Sequence, residues 1–117
     1  MNIFKKLAVV IVTIYANHLY KQAVRIADER YRKEHRMIYV ASRNFRPDLL
    51  TTYDRDRFKF EKKVFGYHAR LLTLQTLKHG CYYHTPDTAG NQAMTEGEKE
   101  ARRLFFVQER LRKAKLV

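Results

Sequence analysis

The chain has 117 residues, 45% of them hydrophobic and 13% aromatic, which supplies one modest core and is too apolar for a wholly disordered polymer. Charge is the dominant compositional fact: 24 Lys and Arg face 12 Asp and Glu, a formal net charge of +12. Such a surface favours acidic partners, whether nucleic acid, anionic lipid or an acidic protein face, and a single cysteine excludes an internal disulfide.

The length fits a single small basic domain over 1–117. Its charge is unevenly placed. Residues 20–63 hold 13 basic and 7 acidic side chains and residues 98–117 hold 7 and 3, whereas residues 64–97 balance at two of each.

The N-terminal stretch "MNIFKKLAVVIVTIYANHLY" places Lys5 and Lys6 before a mostly apolar run from Leu7 to Ile14. That outline matches a short secretory signal with Ala16 as a cleavage position. The run is too short to span a bilayer, which needs about 20 apolar residues. The helical pattern continues without a break through "KQAVRIADERYRKEH", so one long helix is expected from about residue 3 to residue 34. Phe4, Leu7, Ile11, Ile14 and His18 share one face of it, and Leu19, Ala23 and Ile26 continue a stripe on a rotated face. The start of this helix is expected to be buried nearly all round. The alternative is a membrane-surface helix, with the lysine pair at the headgroups.

"RMIYVAS" (36–42) is rich in β-formers and reads as a strand. Pro47 in "RNFRPD" is expected to end local regularity, and "LLTTY" (49–53) to form a second strand antiparallel to the first. Asp54 suits a helix N-cap and Asp56 its first turn, so a helix is expected with Phe58, Glu61 or Lys62, and Phe65 on one face, ending near Gly66. "ARLLTLQTLK" (69–78) spaces its leucines for another helix stopped by Gly80. "CYYHT" (81–85) then reads as a short strand and "PDTAGNQAM" as a polar loop. The last segment opens with a capping box, Thr95 followed by Glu98. An apolar stripe of Ala101, Leu104, Phe105, Leu111 and Ala114 predicts an amphipathic C-terminal helix. The fold class is therefore α+β: a long N-terminal helix, a small antiparallel sheet of about three strands, and further helices.

Chemistry-bearing constellations are few. "HGCYYHTPD" (79–87) gathers His79, Cys81 and His84, but a zinc site needs converging ligands and a strand would point these side chains apart. A buried Cys81 acting as a small hydrophobe is the plainer reading. Asp54 and Asp56 could face a divalent cation, yet at this spacing they do not share a helix face, and cap and first-turn roles explain them. No glycine-rich phosphate loop, GxSxG, HExxH or paired CxxC is present, so neither an enzyme nor a cofactor is expected.

"IADERYRKEHR", "MIYV", "TYDRDRF" and "CYYHTP" together resemble, in kind and order, segments of a group of small basic proteins from phages and mobile elements of gut Bacteroides-type bacteria. The resemblance covers about a quarter of the chain directly and implies origin more than activity. It would place the chain in a bacterial cytoplasm or within a phage particle.

The leading functional expectation is a non-enzymatic accessory protein that binds nucleic acid or packs in a virion-like assembly, with phosphate contacts by Lys and Arg. Candidate contacts are Arg30, Arg32, Lys33, Arg36, Arg43, Arg46, Arg55, Arg57, Lys62 and Lys63, then Arg102, Arg103, Arg110, Arg112 and Lys113. The mixed signs of "ADERYRKEHR" fit a solvated helical face equally well. Tyr39, Tyr53, Tyr82 and Tyr83 would stack on bases if the sheet has an open face, and would be core if helices cover it. The other readings are a protein–protein adaptor or structural subunit docking on an acidic partner, as a homo- or hetero-oligomer, and a peripheral membrane protein using residues 1–20.

Overall fold

The structure is a computed structural model, described for residues 2–43, 46–65, 74–86 and 93–117. Its elements in chain order are α1 (Ile3–Glu34), β1 (Tyr39–Arg43), β2 (Arg46–Tyr53), α2 (Arg55–Phe65), α3 (Leu74–Gly80), β3 (Tyr83–His84) and α4 (Glu96–Lys113). The fold is α+β, with a long N-terminal helix, a three-stranded antiparallel sheet in the order β2-β1-β3 and a C-terminal helix. The stop expected at Gly66, the start of the helix expected over 69–78 and most of the loop after Pro86 lie outside the described residues.

No glycine or proline interrupts α1, so its helical pattern runs through 32 residues. Asn2 accepts a hydrogen bond from the Lys5 N–H at 2.7 Å and caps the start. His35, at φ 53°, takes the left-handed turn that ends the helix, and its N–H reaches the Tyr31 carbonyl at 2.9 Å. At 1.5 Å per residue α1 is about 48 Å long. It therefore sets the longest dimension of the molecule, 49 Å.

Ala16, Tyr20, Ala23 and Ala27, at steps of four, three and four, form the buried face of α1. Three small side chains on this face let the helix backbone approach α4 and the sheet, and Tyr20 fills the remaining space. The Tyr20 ring lies 6.1 Å from Phe106 of α4, and its hydroxyl donates to the Tyr82 carbonyl at 2.8 Å. Ile38, Val40 and Tyr83 close this core from the sheet. The opposite face of the sheet carries Tyr39, Tyr53 and Cys81 against Leu77 of α3. Alternation along β1 thus sends Ile38 and Val40 one way and Tyr39 and Ala41 the other.

Pairing extends beyond the two residues of β3. Tyr82 N–H donates to the Val40 carbonyl at 2.8 Å, Thr85 N–H to the Ile38 carbonyl at 3.0 Å, and Ile38 N–H to Thr85 Oγ1 at 2.8 Å. Asp54 caps α2 through Arg57 N–H at 2.7 Å, and Thr95 caps α4 through Glu98 N–H at 3.1 Å.

Three expectations need correction, and one open alternative is decided. β2 begins earlier than expected, at Arg46, and runs through Pro47 to Tyr53, yet Pro47, Asp48 and Leu49 fall between the paired Arg46 and Leu50 without a partner in β1, so the missing donor interrupts the ladder and not the strand. A register shift between Ser42 and Arg43 accommodates the irregularity. The apolar stripe assigned to α4 is the wrong one except at Leu111. Phe106, Val107 and Leu111 are buried, whereas Ala101, Leu104, Phe105 and Ala114 are exposed. The true inner face also carries Arg103 and Arg110, whose stems can lie along apolar surface while their charged ends find partners. Tyr39, Tyr53, Tyr82 and Tyr83 are all buried, which decides between the two readings left open for them: they are core, with no open face for base stacking.

The third correction concerns the start of α1, which is not buried all round. Val9 and Val12 pack on the core, but Ile3, Phe4, Leu7, Val10, Ile11 and Ile14 are exposed. Among the described residues, the core packs on one side of these first turns only.

Phe106 is fully buried where α1, α4 and the sheet meet. Phe106→Ala should cost about 3–5 kcal/mol in urea unfolding, whereas Phe105→Ala, one position away on the exposed side, should cost far less.

Candidate functional site

His79, Cys81 and His84 do not form a site. His79 ends α3 and is exposed, and Cys81 and His84 are buried. Cys81 Sγ lies 3.3 Å from the Lys78 carbonyl, and Arg102 reaches across from α4 to the same place. Its guanidinium donates to the carbonyls of Lys78 at 3.1 Å and Cys81 at 2.8 Å, and to the sulfur at 3.3 Å. Burial pushes the Cys81 thiol up to about 11 despite the pull of the Arg102 charge, so the sulfur is held as a thiol rather than a nucleophilic thiolate. Among the described residues, no group of three His, Cys, Asp or Glu could hold a metal ion.

The candidate cations divide by what already holds them. Arg30 donates to Glu34 at 2.8 Å, Asp54 at 3.1 Å and Thr52 at 3.2 Å, tying α1 to β2 and to the cap of α2. Arg36 pairs with Asp56 at 2.8 Å. Arg57 lies 3.5 Å from Glu61 and stands over the Tyr53 ring at 5.3 Å. Arg103 binds Glu100 and Asn17, Arg112 binds Glu109, and Arg110 stands over the Tyr15 ring at 5.5 Å. Arg32, Lys33, Arg55, Lys63 and Lys113 are exposed. Arg43 and Arg46 face each other in the register of β1 and β2; their side chains and that of Lys62 lie outside the described residues. The structure therefore does not bring the twelve described cations to one surface. Several are internal ties, and Arg102 binds the last carbonyls of α3.

The surface that stands out lies elsewhere. At 100° per residue, Ile3, Phe4, Leu7, Val10, Ile11 and Ile14 fall within an arc of about 120° on α1. That arc faces away from Ala16, Tyr20 and Ala23, hence away from the core. Phe4 is 79% exposed and Ile14 64%, values that mark an open apolar face rather than scattered surface residues. Tyr15, beside it, is 52% exposed with Arg110 over its ring. Lys5 and Lys6 sit at its N-terminal end, both exposed.

Two turns on, the same bearing of the helix turns polar. His18, Lys21 and Arg25 continue the arc and are exposed. Together with Gln22 they line a cleft of about 200 Å³. A wider groove of about 600 Å³ runs beside it, bounded by Tyr20, Lys21, Arg25, Asp28 and Arg32 of α1 and by Arg103 of α4. Within it, Asp28 accepts the Tyr83 hydroxyl at 2.6 Å. The sequence does contain the signal for this arrangement: the i, i+3 and i+4 spacing of the apolar row carries on into His18, Lys21 and Arg25. Only the position of the core shows that the row faces outward.

Comparison with protein families, with curated proteins and with solved structures finds no match for this chain.

His84, paired with Tyr39 in the sheet, provides a test of the packing. Its Nδ1 lies 2.8 Å from the Thr85 carbonyl, which can only accept, so Nδ1 carries the proton and Nε2 is bare. Burial lowers its pKa below the ordinary value, with the Thr85 hydrogen bond opposing. The folded protein thus keeps His84 neutral while the unfolded chain takes up a proton near pH 6.5, so stability falls as the pH drops through and below that value. The urea midpoint should decrease from pH 7.5 to pH 5.5, and His84→Asn should flatten that slope; an unchanged slope in the variant contradicts the assignment.

Proposed function

We propose that this protein is a peripheral membrane protein that lies on a bilayer surface through the open face of α1. The observation that carries this reading is the exposed apolar arc of Ile3, Phe4, Leu7, Val10, Ile11 and Ile14, with Lys6 at its border and a net charge of +12 on the chain. An apolar helical face flanked by lysines inserts at the boundary of headgroups and acyl chains, and an anionic leaflet attracts the basic body.

The orientation follows from what α1 already does for the fold. By length and composition alone α1 could cross a membrane. Crossing would carry Ala16 and Tyr20 out of the core and break the buried hydrogen bond from Tyr20 to Tyr82. Such a span would also have to take Lys5 and Lys6 into the hydrocarbon, because the apolar run from Leu7 to Ala16 alone covers only about 15 Å of a core of about 30 Å. In-plane insertion of the open face leaves Val9 and Val12 packed where they are.

Nucleic-acid association is the second reading. It draws on the exposed cations Arg32, Lys33, Arg55 and Lys63, none of which has an ion pair or hydrogen bond among the described residues. Their phosphate contacts would give binding that weakens steeply with salt.

Co-sedimentation with phospholipid vesicles tests the membrane reading. Leu7→Glu combined with Ile11→Glu should weaken vesicle binding by more than about tenfold, because two apolar side chains that enter the bilayer are replaced by charges. Both positions are exposed, so the circular dichroism spectrum and urea midpoint should not change. Equal vesicle binding by the double variant overturns the reading. So does a wild-type dimer that ignores vesicles and dissociates in the variant, which would give the face to a second copy of the chain.

A further inference from the structure

We propose that the cleft of His18, Lys21, Gln22 and Arg25 binds the phosphate of an anionic phospholipid headgroup and gives the membrane contact a preference for anionic lipid. This rests on the membrane-surface reading and adds a site to it. All four lining side chains can donate hydrogen bonds, Lys21 and Arg25 are cations one helical turn apart, and no carboxylate lines the cleft.

Neither Lys21 nor Arg25 has an ion pair or hydrogen bond among the described residues. Arg30, Arg36 and Arg103, by contrast, are each held by carboxylates, and an incoming phosphate would have to displace those. The nearby acids limit the site without entering it. Asp28 is engaged by the Tyr83 hydroxyl, and exposed Glu29 lies one turn past Arg25 at the far border.

Position favours a lipid phosphate over a nucleic-acid one. Lys21 follows Ile14 by about 10 Å along the axis and at nearly the same bearing. On a helix lying in plane with Leu7, Ile11 and Ile14 inserted, Lys21 and Arg25 lie on the same side, and their long side chains extend from it to headgroup level. A nucleic-acid backbone offers nothing apolar to cover the neighbouring isoleucines. The wider groove carries the cationic surface on toward Arg32.

The test measures binding to vesicles of phosphatidylcholine alone and to vesicles in which about a third of the lipid is phosphatidylglycerol, for the wild type and for Lys21→Gln combined with Arg25→Gln. The wild type should prefer the anionic vesicles. The double variant should lose about 25-fold on them, roughly fivefold per cation, and bind phosphatidylcholine as the wild type does. Arg55→Gln combined with Lys63→Gln removes the same charge away from α1 and should cost much less. Three results overturn the proposal while leaving membrane binding intact: no anionic preference in the wild type, full preference in the Lys21/Arg25 variant, or an equal loss in the Arg55/Lys63 control. Failure of the wild type to bind either vesicle overturns the membrane reading itself.

Discussion

Three aromatic rings, Tyr20, Tyr82 and Phe106, hold this molecule together. Phe106 meets Tyr82 edge-on at 5.1 Å and Tyr20 at 6.1 Å, so one side chain of α4 joins α1 to the sheet. The Tyr20 hydroxyl completes the contact by donating to the Tyr82 carbonyl, a buried bond that fixes the rotation of α1 about its own axis. Tyr83 adds a second pin through its hydroxyl to Asp28, two turns further along the same helix. With two polar bonds and an aromatic cluster setting its rotation, α1 cannot roll its apolar first turns inward. The outward bearing of Leu7, Ile11 and Ile14 is thus a consequence of packing at Tyr20, several turns away.

The arginines contribute differently from what their number suggests. A chain with a net charge of +12 would be expected to repel itself, yet many of its cations are placed where a carboxylate or carbonyl receives them. Arg30 reaches Glu34 and Asp54 together, and Arg36 joins Asp56, so the end of α1 is laced to the start of α2. Exposed pairs of this kind contribute little each to stability. Their effect is on register and orientation, and they leave the excess positive charge on side chains such as Lys21, Arg25 and Arg32. Arg102 acts in yet another way: it satisfies the carbonyls at the end of α3 and fixes the turn into β3 beside Cys81.

Much of the architecture was legible from local rules. Unbroken helical spacing marked α1 almost to the residue, Asp54 and Thr95 acted as the caps their types predict, and β-formers marked the two longer strands. The failures share a cause. Pro47 looked like a terminator because a proline removes a donor, but the missing donor interrupts the ladder and not the strand. The inner face of α4 was missed because arginine stems share it with Phe106 and Val107, while the helically spaced Ala101, Leu104 and Phe105 are exposed, Phe105 touching the Tyr82 ring at the border of the core. Periodicity reports that a face exists and is silent on which of two faces meets the core.

By itself, then, the sequence determined the elements, their caps, the charge balance and the absence of common catalytic motifs, because each depends on residues within a turn or two of one another. Tertiary structure decided which faces are buried, which cations remain unpaired and that the four tyrosines of the sheet region are core rather than surface. Those outcomes depend on contacts such as Tyr20 with Phe106 and Arg30 with Asp54, between residues far apart in the chain. The candidate site is the clearest case. Its row of apolar and then basic residues is written in α1, but only the docking of the opposite side of the helix on α4 and the sheet leaves that row facing out.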